Sequence, residues 1–61
     1  MSSLEEAVAL VNKCDAIPDC LPRTEVAKCT GTSFDTAMRE DPARVVEVLR
    51  AYLVRWELSR P

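Results

Sequence analysis

The chain contains no histidine. The most frequent general acid–base residue and a leading metal ligand are therefore both missing. Glycine occurs once, at Gly31, which leaves no glycine-rich loop to cradle a phosphate. Phenylalanine, tyrosine and tryptophan also occur once each, a composition that favours helices over a small β-barrel. No apolar run approaches the length of a membrane span, so no membrane partner is expected. Met1 to Val11 holds two glutamates and no basic residue, the opposite of a secretory leader. Three cysteines, an odd number, without a secretory context read as reduced thiols of a cytoplasmic protein.

These gaps narrow the chemistry. Cys14, Cys20 and Cys29 are separated by five and eight residues, whereas zinc sites favour ligands paired at closer spacing together with histidine or further cysteines. No metal and no cofactor is expected. The cysteines read as small buried hydrophobes, although a Cys14–Cys20 disulfide across the intervening prolines is geometrically possible. The paired acids Glu5/Glu6 and Glu40/Asp41 fall at helix starts, where the macrodipole accounts for them. With so short a chain leaving little room for a pocket, no catalytic residue is assigned and an enzyme is not expected.

What is present is a single domain of 61 residues, of which 48% are hydrophobic, enough to argue against disorder. The formal net charge is −2 and the sequence pI about 4.9. Nucleic-acid domains are typically basic, because neutralising phosphates supplies much of their affinity. The charge is uneven. Glu5, Glu6, Asp15 and Asp19 against Lys13 give residues 1–22 a charge of −3, and residues 23–61 carry +1.

Four helices are expected. The first begins at Ser2 or Ser3, where Ser2 with Glu5 or Ser3 with Glu6 can form a capping box. It presents Leu4, Ala7, Val8 and Val11 on one face, broadened by Leu10 and Cys14, and ends near Lys13 or Asp15. Asp15 to Pro22 is a connector, since two prolines four residues apart prevent a continuous helix. Ile17 and Leu21 should tuck that loop onto the core, with Leu21 stapled to Val26 if Pro22 takes the cap position. Two short helices follow, Arg23 to Thr30 and Ser33 to about Glu40, divided by Gly31 in a left-handed turn, with Ser33 as the second N-cap. Asp41 and Pro42 then open a longer helix from about residue 42 to 58.

The two short helices carry a motif: Val26-Ala27-x-x-x-Gly31-x-Ser33-x-x-Thr36-Ala37-x-Arg39. It resembles the helix-turn-helix of lac-repressor-type and phage regulators, whose usual form is V-A-x-x-x-G-V-S-x-x-T-V-x-R. The resemblance covers residues 21–39, about a third of the chain. It implies an all-α domain with a helix-turn-helix at about 22–40, whose second helix enters the major groove. Ser33, Phe34, Asp35, Thr36 and Arg39 would then face DNA, Arg39 as a forked donor to guanine. The sequence departs from the pattern at Thr32, where an aliphatic residue is usual, at Asp35, and in lacking a basic arm. Arg39 also reads as a solvated arginine that could pair with Asp35 one turn earlier.

Along the last helix, Val45, Leu49, Tyr52 and Trp56 are spaced four, three and four, with Val46, Val48 and Leu53 widening the face. A short two-helix unit can cover only part of it, so Val45, Leu49, Tyr52, Leu53 and Trp56 are the expected interface of a homodimer or hetero-complex. Two functions follow. The motif puts first a small dimeric DNA-binding regulator. The acidic pI and Asp35 support the alternative, a protein-binding module or inhibitor built on the same scaffold.

Overall fold

The computed structural model describes residues 2–58. Its elements are four α-helices: α1 (Ser3–Asp15), α2 (Pro22–Thr30), α3 (Phe34–Glu40) and α4 (Pro42–Leu58). Among the described residues there is no strand. The chain is a small all-α domain with a longer C-terminal helix.

Each boundary has a local cause. Ser2 is extended and its Oγ accepts the Glu5 N–H at 3.2 Å, so the earlier of the two candidate caps opens α1. Gly31 closes α2 at φ 75° and ψ 13°, with its N–H donated to the Ala27 carbonyl at 3.0 Å. Ser33 opens α3 by accepting the Thr36 N–H, and its own hydroxyl donates to Thr36 Oγ1 at 2.8 Å. Asp41 Oδ1 accepts the Arg44 N–H at 3.2 Å, and Pro42 stands at the first position of α4.

The core is formed where α1, α2 and α3 pack on α4. Ala7, Val11, Cys14, Cys20, Val26, Ala37, Val45, Val46, Val48, Leu49 and Leu53 are buried. Their burial is the main favourable contribution to folding. Leu10, Ile17, Phe34, Met38, Tyr52 and Trp56 pack against this cluster while remaining half-buried. Among the described residues, no buried side-chain nitrogen or oxygen lacks a hydrogen-bond partner.

Three expectations are corrected here. The buried face of α1 is Ala7, Leu10, Val11 and Cys14, while Leu4 and Val8 are 49% and 45% exposed. Both stripes obey helical spacing, and α4, with α2, covers the one rotated toward Cys14. Leu21 is not tucked in and does not staple Val26. It is the N-cap residue itself, with Pro22 already helical, so it lies one position too late to reach back over the helix and is 59% exposed. Most importantly, Val45, Leu49 and Leu53 are 0%, 0% and 5% exposed within one chain. They are core residues, not interface residues, because α1 and the α2–α3 pair between them cover that face of α4.

Candidate functional site

The outer surface of α3 gathers part of the expected site. Ser33 and Thr36 are bound to one another at the helix start, so their polar atoms serve the cap. One turn of helix separates Phe34 from Met38 and Asp35 from Arg39, which sets the four along one side of α3. Together they line a shallow depression of about 540 Å³. Phe34 and Met38, both half-buried, form its apolar floor, and Asp35 and Arg39 are exposed at its edges. Thr36 lies apart, on a second depression of about 390 Å³ that it shares with Cys29, Glu40, Asp41 and Arg44.

Arg23 ties this face to the rest of the molecule. Its guanidinium carbon lies 5.6 Å from the centre of the Phe34 ring, and Nη1 is 3.2 Å from Asp15 Oδ1. A guanidinium over an aromatic face is attracted by the ring quadrupole. One side chain thus joins the end of α1, the start of α2 and the start of α3. This positioning role has no periodic signal in the sequence, since Arg23 and Phe34 lie on different helices. Arg39, in contrast, makes no ion pair among the described residues; the expected Asp35–Arg39 pair is not formed.

The electrostatics of the α2–α3 pair can be counted. Between residues 22 and 40, Arg23, Lys28 and Arg39 are balanced by Glu25, Asp35 and Glu40, and Asp41 follows at once. On α3 and its two caps, Arg39 is the one cation beside three acids. Around the floor itself stand Asp35, Arg39 and, over the Phe34 ring, Arg23 paired with Asp15, so the face is apolar at its floor and near neutral around it.

A second cluster stands on α4. Tyr52 and Trp56 meet edge to face, with ring centres 6.3 Å apart and planes at 87°. Arg55 lies over the Tyr52 ring at 5.7 Å and is 2.6 Å from Glu25 Oε2, which ties α4 to α2. Tyr52 also accepts the Leu21 N–H at 3.1 Å. Of the five expected interface residues, Tyr52 and Trp56 are half-buried and the rest buried; the Tyr52 hydroxyl and the two rings are already engaged within the chain.

No match decides the matter. Comparison of the chain with protein-family models, with curated proteins and with solved structures finds none. Function is therefore read from the surfaces alone. Among the described residues, no group of three or more acidic or cysteine side chains is placed to hold a metal ion, and no helix is long and apolar enough to cross a membrane.

Proposed function

We propose that the chain is a protein-binding module that docks through the outer face of α3. The observation that carries this reading is the character of that face: an apolar floor of Phe34 and Met38 is flanked by one acid, Asp35, and one cation, Arg39, with Arg23 over the Phe34 ring. A phosphate backbone rewards cations and penalises acids. A partner protein can bury an apolar side chain on the floor while placing opposite charges against Asp35 and Arg39. Phe34 is braced by Arg23 before any partner arrives, so little side-chain entropy remains to be lost there.

The test places a photo-crosslinking side chain at position 35, with position 9 on the exposed side of α1 as control, in the host cell. The reading expects a single adduct of fixed stoichiometry from position 35, lost in Phe34→Ala. Equal labelling from both positions would refute it.

A second reading, the dimeric DNA-binding regulator, is favoured by one specific arrangement. The left-handed Gly31, the Ser33 cap and the exposed Arg39, without an ion pair among the described residues, together match the motif's requirement for a presented second helix. That reading expects retention of DNA fragments at low salt, lost steeply as salt rises. Arg39→Ala would weaken it by ~1–3 kcal/mol if the contact is a forked one to guanine.

A further inference from the structure

We propose that Cys14 and Cys20 are a redox pair, which a peroxide oxidises to an intrachain disulfide that fastens the turn between α1 and α2. The proposal rests on how the backbone brings the two thiols together. Cys14 lies in the last turn of α1 and is buried. The chain leaves the helix through Ile17, whose N–H returns to the Cys14 carbonyl at 3.0 Å. It then reverses in a turn over residues 17–20. Pro18 holds the second position, Asp19 holds the third at φ 68°, and the Cys20 N–H donates to the Ile17 carbonyl at 3.2 Å. A proline followed by a positive-φ residue is the pattern of a type II turn, and aspartate is among the side chains that tolerate it.

That reversal sets Cys20 Sγ 2.8 Å from Cys14 Sγ. A disulfide bond is ~2.05 Å long, so under one ångström of approach separates the pair from bonding. Thiols are weak donors and weak acceptors; their mutual attraction does not explain so close a contact, and the turn does. Both cysteines are buried, Cys14 completely and Cys20 at 7% exposure. In the proposed sequence Cys20, the less deeply buried of the two residues, meets the oxidant first. Burial and the neighbouring Cys20 thiol keep Cys14 protonated at neutral pH.

The chemistry balances with hydrogen peroxide as the oxidant. Cys20 loses its proton and its sulfur attacks one peroxide oxygen; the O–O bond breaks, leaving a sulfenic acid at Cys20 and releasing one water. Cys14 Sγ then attacks Cys20 Sγ. The S–S bond forms as the S–O bond breaks, and the departing hydroxide takes the Cys14 proton as a second water. Two thiols and one peroxide become one disulfide and two waters. Cys29 is exposed and stands in no such pair: its thiol lies 3.5 Å from Glu25 Oε2, one helical turn away.

The disulfide would close a short loop across the turn that immediately precedes Leu21, whose N–H is held by Tyr52. Closing that loop removes freedom from the unfolded chain and little from the folded one. The inference stands independently of what α3 binds.

The test uses the full chain carrying Cys29→Ser, so that the exposed thiol cannot couple two molecules. The folded protein is treated with hydrogen peroxide, denatured, alkylated and digested with trypsin. Both cysteines fall in the single peptide spanning residues 14–23. The expected product is that peptide lighter by two hydrogens and resistant to alkylation until a reductant is added. Its thermal midpoint should rise by roughly 10 °C on oxidation. Cys20→Ser should abolish both effects. A peptide alkylated at both positions, under conditions that fully oxidise Cys29 in the unmutated chain, would overturn the proposal. So would a doubled intact mass, which would show coupling between chains.

Discussion

Gly31 and Cys14 show how differently single residues declare themselves. Gly31 is legible in the sequence alone, because a lone glycine at the end of a helical pattern has few uses other than a left-handed cap. The structure places it at φ 75°, and a Cβ built there would meet nothing within 4 Å. Substitution is therefore opposed by backbone strain alone, not by crowding. Gly31→Val should cost ~1–3 kcal/mol in denaturant unfolding, the usual penalty for a side chain held in that region; an unchanged midpoint would mean that the turn lies elsewhere. Cys14 was legible as a buried hydrophobe but not as a titrating one. Desolvation first, then the Cys20 thiol, pushes its pKa up from 9.0 to about 12. Above pH 9 the unfolded chain has lost a proton that the folded chain retains, so the unfolded state binds fewer protons and stability falls as pH rises. The loss should set in near pH 9 and deepen steadily toward pH 12. Thermal melts of the reduced protein against Cys14→Ala across that window check it, because the variant lacks this contribution.

At the scale of elements, most helix ends followed from the sequence, while the start of α2, capped at Leu21 rather than Pro22, and the rotation of α1 did not. Ser2, Gly31, Ser33, Asp41 and Pro42 are punctuation that acts within a few residues, so it reads correctly without tertiary context. The choice between the Leu4/Val8 stripe and the Leu10/Cys14 stripe depends on where α4 lies, and periodicity permits either. The same limit explains Leu21. Its side chain is apolar, yet its backbone is the part that is held, through the bond from its N–H to the Tyr52 hydroxyl. That bond joins the connector to α4 across 31 positions, and nothing local announces it. Tyr52→Phe should therefore loosen the connector while leaving the ring packing intact. The expected cost is ~0.5–1.5 kcal/mol, with faster amide exchange at Leu21; exchange unchanged at that amide would show that the bond carries no weight in solution.

For the whole molecule, the question is whether one chain suffices. The sequence argued for a partner on α4, since Val45, Leu49, Tyr52, Leu53 and Trp56 form a wider apolar face than two short helices could cover. What that count missed is α1, which packs against α4 as well and removes Val45, Leu49 and Leu53 from the surface. The exposed area of the single chain is 4199 Å². A folded monomer of 6.8 kDa is expected to expose ~4000 Å² by the usual scaling of area with mass. The exposed area is thus ordinary for a folded chain of this mass. Large apolar side chains still stand exposed at Leu4, Val8, Val54 and Leu58, on α1 and the C-terminal part of α4. Sedimentation at micromolar concentration should accordingly give a mass near 6.8 kDa, and Trp56→Ala should lower the unfolding midpoint without changing that mass. A mass near twice this value, reduced by Trp56→Ala, would return the Tyr52–Trp56 edge to service as a dimer contact. It would also strengthen the two-fold DNA reading at the expense of the single protein-docking face on α3.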